Sequence, residues 1–243
     1  MRTDGTSATV IFLLGVTLMG LLPALASGDD GGIDKVYHPY VQAMEQEIGL
    51  RLSAEEGRRL PPDDRQILRL GYGRALNDNW LGELYLLGER SSDEALSSRG
   101  YEVELLWQMS EQGKYFVDSG LLFEYENLDS GDSMAFVTSL LLEQDWGRWS
   151  GTANLSVEYE FGSMINNELE SATALQLRYR YARYLEPALE FYSGENVRGL
   201  GPVLLGDLHA APGRKLHWEV GMIAGLINRV PDRTWRLLLE YEF

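Results

Sequence analysis

Any chemistry in this chain has to come from carboxylates, arginines and three histidines, because cysteine is absent from all 243 residues. The 37 acidic residues outnumber the 21 lysines and arginines, for a net charge of −16 at pH 7. Such an excess repels polyanions and draws in cations, which excludes nucleic acid as a partner. No glycine-rich loop leads from a strand into a helix, so a nucleotide-phosphate site is excluded and no cofactor is expected. Two of the histidines, His209 and His217, flank the turn "AAPGRK". If that turn centres on Gly213, His209 faces His217 and Asp207 faces Glu219. Directly opposed residues bring their Cβ atoms to about 5 Å, and imidazole with carboxylate suits zinc, copper or nickel. Asp207, His209, His217 and Glu219 are therefore a candidate metal site. The plainer alternative is a pair of solvated histidines beside a turn, and a one-residue slip of register would dismantle the set. A hydrolytic Ser–His pair has less to support it. No serine lies two residues from a histidine, and a nucleophile must reach its base. The chain is accordingly not expected to be an enzyme, with a lipid-modifying activity kept as a second alternative.

The groups just named are positioned by segments that alternate with period two. "YEVELLWQM" sets Tyr101, Val103, Leu105 and Trp107 opposite Glu102, Glu104 and Gln108. "GTANLSVEYEF" sets Leu155, Val157, Tyr159 and Phe161 opposite Asn154, Ser156, Glu158 and Glu160. "ATALQLRYRY" sets Leu175, Leu177 and Tyr179 opposite Gln176, Arg178 and Arg180. Strands this long and this charged on one face suit a barrel that is apolar toward lipid and polar toward its lumen. About twelve such strands are legible, joined by short turns at 77–79, 110–114, 145–149, 182–185 and 210–215 and by longer links between them. The predicted fold is all-β, an antiparallel transmembrane barrel of about twelve strands, with both termini periplasmic because the strand count is even. Tryptophans at strand ends read as an interfacial girdle.

Parity assigns the lumen an acidic ring of Glu89, Glu102, Glu104, Glu124, Glu126, Glu158 and Glu160. It also assigns the lumen the basic residues Arg51, Arg69, Arg178, Arg180 and Arg236. Acidic rings bias pores toward cations. A small cation-tolerant pore or solute channel, passing cations or small solutes, is one reading. The alternative is a closed structural or interaction barrel in which Glu and Arg pair across a packed interior, with the segment before Tyr37 folding back as a plug.

At the N-terminus, Arg2 precedes the uncharged stretch "VIFLLGVTLMGLL" and then "PALAS". This predicts a secretory signal over 1–26, too short and wrongly flanked for a spanning helix. Residues 27–42 are expected to form a periplasmic leader and 43–243 the barrel. The acidic "SGDDGGIDK" lacks the ligand spacing of a calcium loop. The chain ends in "TWRLLLEYEF", alternating and finishing on an aromatic residue. This segment resembles the terminal strand of bacterial outer-membrane β-barrel proteins. The resemblance implies that Tyr241 and Phe243 are read by the barrel-assembly machinery, that outer-membrane lipid surrounds the protein, and that its home is the outer membrane of a Gram-negative bacterium. "VYHPYVQAMEQEI", "NDNWLGEL" and "GPVLLG" further resemble a small porin-like group of proteobacterial outer-membrane proteins, a likeness that implies location and adds no activity.

Overall fold

A computed structural model of the chain describes residues 33–57, 65–91, 95–128, 132–163, 167–195, 197–227 and 231–243. The expected signal over 1–26 lies outside them. Twelve strands follow one another: β1 (Gln46–Glu56), β2 (Arg65–Asn77), β3 (Trp80–Ser91), β4 (Ser97–Gln108), β5 (Asp118–Leu128), β6 (Ser133–Trp146), β7 (Trp149–Phe161), β8 (Glu168–Tyr179), β9 (Glu186–Ser193), β10 (Arg198–Ala211), β11 (Arg214–Gly225) and β12 (Arg233–Glu242). Each pairs antiparallel with its sequence neighbours, and β1 pairs with β12 to close the barrel. Closure removes the free edges that an open sheet would leave to other chains.

The two faces are inverted relative to a water-soluble protein. Leu84, Leu86, Val103, Val157 and Leu204 lie exposed on the outside. Glu104, Glu143, Glu190, Arg51 and Arg236 are buried within. An outer surface of Leu, Val and aromatic residues finds its favourable solvent in hydrocarbon, and the closed ladder pairs backbone groups that such a solvent could not. No helix among the described residues is long and apolar enough to cross a membrane. The strands, closed into a barrel with an apolar outer face, are of the kind that spans one. Pro202 sits outward in β10, opposite Leu189. The ladder to β11 passes from Leu200↔Ala224 directly to Val203↔Gly221, because proline has no N–H to donate.

Two-residue turns over 78–79, 147–148 and 212–213 mark one rim. The connection expected over 110–114 is longer, spanning 109–117. There Asp118 accepts the Gly113 N–H at 2.8 Å and ties off a loop instead of a tight hairpin. The same rim carries the girdle. Trp80 stacks on Trp107 with centroids 5.5 Å apart, and Trp149 meets Tyr179 at 4.9 Å. Tyr241 stacks on Phe243 at 5.9 Å, and the Phe243 N–H bonds Gln46 O at 2.9 Å across the closing seam. Phe243 faces outward while Glu242 pairs with Lys215 at 2.6 Å. Changing Phe243 to Asp places a charge on the lipid face near the interface, at about 0–1 kcal/mol. A fall in folded yield much larger than that energy, read from heat-modifiable gel mobility beside Glu242→Gln, is the expected sign of lost recognition during assembly. Equal yields from the two variants would remove that role.

The segment before β1 departs from its expected place. Residues 33–42, read as part of a periplasmic leader, run inside the barrel. Ile33 and Val36 are buried among Ala188, Tyr192, Val203, Leu205 and Ile223. Tyr37 and Val41 pack against Leu81, Leu106, Leu122 and Leu141. The physical reason is inward-facing leucine, valine and isoleucine, which bury apolar area only if something apolar enters the lumen. Met44, with φ of 65°, makes the turn between this segment and β1.

Candidate functional site

The lumen holds nearly all the charge identified above, and the inner segment is its organising element. It enters at the short-turn rim. Val41 N–H donates to Gln108 Oε1 at 2.7 Å, and Tyr40 Oη donates to Asp118 at 3.0 Å. His38 Nδ1 lies 2.5 Å from Glu143 Oε2. Tyr37 is held on both sides of its backbone by Asn154, which accepts its N–H at 2.8 Å and donates to its carbonyl at 2.9 Å. Lys35 Nζ reaches Glu240 at 2.8 Å. An extended segment cannot satisfy its own backbone, so barrel side chains supply the partners.

Two arginine centres start from the adjacent strands β1 and β12 and reach in opposite directions around the wall. In the first, Arg51 on β1 spans to β4, where it holds both oxygens of Glu104 at 2.9 and 3.3 Å. It also donates to the hydroxyls of Tyr37 and Tyr85 at 2.9 and 2.7 Å and to Asp34 at 3.2 Å. Tyr85 lies flat over Gly71, where an added Cβ would stand 2.3 Å from its ring. Only glycine lets the phenol lie across β2 toward β1 at that height. Arg69 joins this centre through Glu102 at 3.1 Å and Glu126 at 3.8 Å. In the second centre, Arg236 on β12 holds Glu190 at 2.8 Å and Glu219 at 2.6 Å. It donates to Tyr192 Oη at 2.7 Å and to the backbone carbonyl of Asp34. Nearer the short-turn rim, Glu143 gathers His38, Arg178, Ser150 and Thr152, and Arg180 pairs with Asp145 at 2.6 Å. At that rim burial, and then the Glu242 carboxylate, push the Glu45 carboxyl up to about 7.

The expected acidic ring is distributed among these centres. Glu102, Glu104 and Glu126 face Arg51 and Arg69; Glu89 faces Arg65 and Arg99 at 3.0 and 3.2 Å, nearer the long-link rim. Glu102, Glu124, Glu126, Glu158 and Glu160 line a pocket of about 200 Å³ in the long-link half of the barrel. Its floor includes Asp34, Lys35 and Tyr37 of the inner segment, and Ser139, Asn154 and Ser156 add polar donors and acceptors.

The histidine hairpin differs from expectation. The turn is Pro212-Gly213, with a register shift between His209 and Ala211, and the pairs are His209↔Lys215, Asp207↔His217 and Leu205↔Glu219. The turn centre falls between Pro212 and Gly213 and the β-bulge adds a second one-residue shift, and together they take His209 away from His217. His217 instead directs Nδ1 to Asp207 at 2.7 Å and Nε2 to Glu219 at 3.1 Å. Both ring nitrogens are thus engaged by carboxylates within the barrel, and the two-histidine, two-carboxylate metal set is not assembled. Asp34, Tyr37, Tyr85, Glu190 and Tyr192 escaped the sequence reading. A signal for two of them was present: among the described strand aromatics, Tyr85 and Tyr192 carry lumen parity.

No protein-family model and no curated protein matches the chain. Solved structures do. A KdgM porin in complex with disordered oligogalacturonate is 12% identical, covers 81% of this chain and 99% of its own, and superposes with a TM-score of 0.53. The COG4313 outer membrane channel from Pseudomonas putida F1 is 12% identical, covers 87% and 99%, and gives a TM-score of 0.57. The NanC porin is 13% identical, covers 81% and 98%, and gives 0.53. The chain has the fold of these outer-membrane porins and channels.

Proposed function

We propose that the chain is an outer-membrane channel for small cations or cationic solutes, narrowed by its own residues 33–42. The observation that carries this reading is the pocket of about 200 Å³ in the long-link half, lined by Glu102, Glu124, Glu126, Glu158 and Glu160 above the inner segment. Carboxylates in a confined, low-dielectric space raise the local concentration of cations and exclude anions. The KdgM porin is described with an oligogalacturonate, a chain of carboxylates. The same ligand would meet like charge here, so this barrel is assigned cargo of opposite sign. Lipid of the Gram-negative outer membrane covers the outer face. The short-turn rim, where Tyr241, Phe243 and the entry of the inner segment lie, faces the periplasm and the assembly machinery. This reading gives the protein no catalytic role.

The test is the reversal potential of the reconstituted mature barrel under a salt gradient. Cation preference is expected. Changing Glu124, Glu158 and Glu160 together to Gln should bring it toward neutrality. Raising salt to 1 M should blunt it in the wild type, because the screening length falls from about 8 Å to about 3 Å. Anion preference in the unmodified protein would reject the electrostatic argument. A closed barrel is the second reading, favoured by the seal that Leu81, Leu106, Leu122 and Leu141 make with Tyr37 and Val41. Electrical silence both before and after removal of the inner segment would select it.

A further inference from the structure

We propose that Glu240 is a seat for a primary alkylammonium ion on the cation path, and that Lys35 of the inner segment is its tethered occupant in this state. The cargo half of this inference rests on the channel reading; the seat itself needs only the lumen. The chain has three lysines, Lys35, Lys114 and Lys215. Lys114 pairs with Glu111 in the loop over 109–117, and Lys215 pairs with Glu242 at the short-turn rim. Lys35 is the lysine of the interior. The other strongly basic groups paired across the lumen among the described residues, Arg51, Arg69, Arg178 and Arg236, are guanidiniums. Arg51 and Arg236 tie several strands and the inner segment together through a planar fork that fixes geometry. Among the described residues Lys35 contributes one hydrogen bond, to Glu240 Oε1 at 2.8 Å. An ammonium is a compact point charge, so a free amine can make the same bond with no change in the wall.

The surroundings of this ammonium are those of a recognition site. The side chains of Lys35 and Glu240 are 14% and 13% exposed, so the pair is largely out of water. In register Glu240 faces Gly49 on β1 and His217 on β11. Gly49 has no side chain to offer, and His217 is engaged by Asp207 and Glu219. The Glu240 carboxylate is therefore answered from within the lumen, by Lys35. Glu83 and Glu47 lie near enough to add their field to the attraction. The Tyr37 ring centroid stands 4.8 Å from Nζ, within reach of a cation–π contact. One carboxylate with an aromatic face beside it suits an alkylammonium, which needs an acceptor for its N–H groups and a soft surface for its charge. Lys35 also lines the outer pocket, together with Asp34 and Tyr37. Its side chain thus runs from the pocket to Glu240 and marks the route that an amine of equal width would follow. Because a buried carboxylate stripped of its cation is costly, the inner segment keeps the seat filled while cargo is absent.

Chemical rescue tests the seat. Lys35→Ala removes the end of the side chain from Cγ outward, and n-propylammonium is the fragment removed. The refolded mature barrel of this variant is unfolded in urea with and without n-propylammonium at fixed ionic strength, with heat-modifiable mobility verifying the starting fold. Its midpoint should fall below that of the unmodified protein, because Glu240 is left without its cation. The amine should recover about half of that loss or more as its concentration rises, the response of a ligand bound only by the folded state. Tetramethylammonium, which has no N–H to donate, should recover nothing. Lys35→Met loses the charge but keeps the stem in place, so the amine should not rescue it. Adding Glu240→Gln to Lys35→Ala should abolish the response. Failure of n-propylammonium to rescue Lys35→Ala would overturn the proposal. So would equal rescue of Lys35→Met, or equal rescue by tetramethylammonium. In planar bilayers the unmodified barrel should pass n-propylammonium in preference to tetramethylammonium, read from the bi-ionic reversal potential, and Glu240→Gln should remove that preference. Its absence in the unmodified barrel would reject the cargo role. Rescue in a barrel that prefers anions would reject the channel reading while keeping the seat.

Discussion

Removal of residues 33–42 is expected to raise the single-channel conductance of the barrel by about an order of magnitude, since a twelve-strand lumen is wider than the side-chain-filled eight-strand case. The barrel itself should survive the deletion. Arg51 keeps Glu104, and Arg236 keeps Glu190 and Glu219, so neither guanidinium is stranded. What disappears is the material between the walls: Tyr37 and Val41 against the inner leucines, and Ile33 and Val36 against Val203, Leu205 and Ile223. Water replaces them. Planar-bilayer recording of the two chains side by side, with circular dichroism and heat-modifiable mobility to verify folding, measures the effect. Unchanged conductance would show that the segment does not limit the path. A point change, Tyr37→Ala, should give a smaller increase, because Asn154 still grips the backbone on either side.

The second large effect concerns stability. Arg236→Met should destabilise the barrel by about 3–5 kcal/mol, the range for removing one partner of a buried ion pair. Arg236 is 6% exposed and ties β12 to β9, to β11 and to the inner segment at once. Without it, Glu190 and Glu219 face each other across a space with little water, and the strand that closes the barrel loses its inward anchor. The midpoint of urea unfolding, followed by gel mobility, should drop accordingly. Adding Glu190→Gln and Glu219→Gln to Arg236→Met should recover part of the loss, because the penalty lies in the stranded charges. Arg180→Met offers the contrast: its side chain is 33% exposed beside Asp145, and exposed pairs are worth about 0–1 kcal/mol. Equal effects from the two arginine changes would contradict the account of the interior.

Face was legible in the sequence, and height was not. Alternation alone separates Glu102 and Glu104 from Val103 and Trp107, and it counts the strands, because a period of two is a property of the extended backbone itself. Height depends on strand tilt and stagger, which are long-range properties of closure. Parity therefore set Arg51 and Arg69 in the lumen without showing that Arg51 meets Glu104 three strands away. The hairpin of His209 and His217 failed for a related reason, since a half-residue change of turn centre and one bulge decide which side chains face each other. The inner segment had a trace in the sequence after all. Leu105-Leu106, Leu121-Leu122 and Leu140-Leu141-Leu142 put leucine on both parities. An apolar side chain on the lumen parity signals something apolar inside, here Tyr37 and Val41.

The order of the chain bears on how such a barrel comes together. The segment that fills it immediately precedes β1, and the strand that seals it, β12, is the last to be made. The filling is therefore at hand before the seal exists. Once β1 and β12 have zipped from Glu47↔Glu242 to Glu56↔Arg233, a phenol such as Tyr37 would have to be dragged past four packed leucines to leave or enter. The interior is thus a mandrel around which the sheet curls, and it contributes contacts during closure that an empty cylinder would have to do without. Circularly permuting the chain, so that residues 33–42 emerge after the final strand, would ask the barrel to close around nothing.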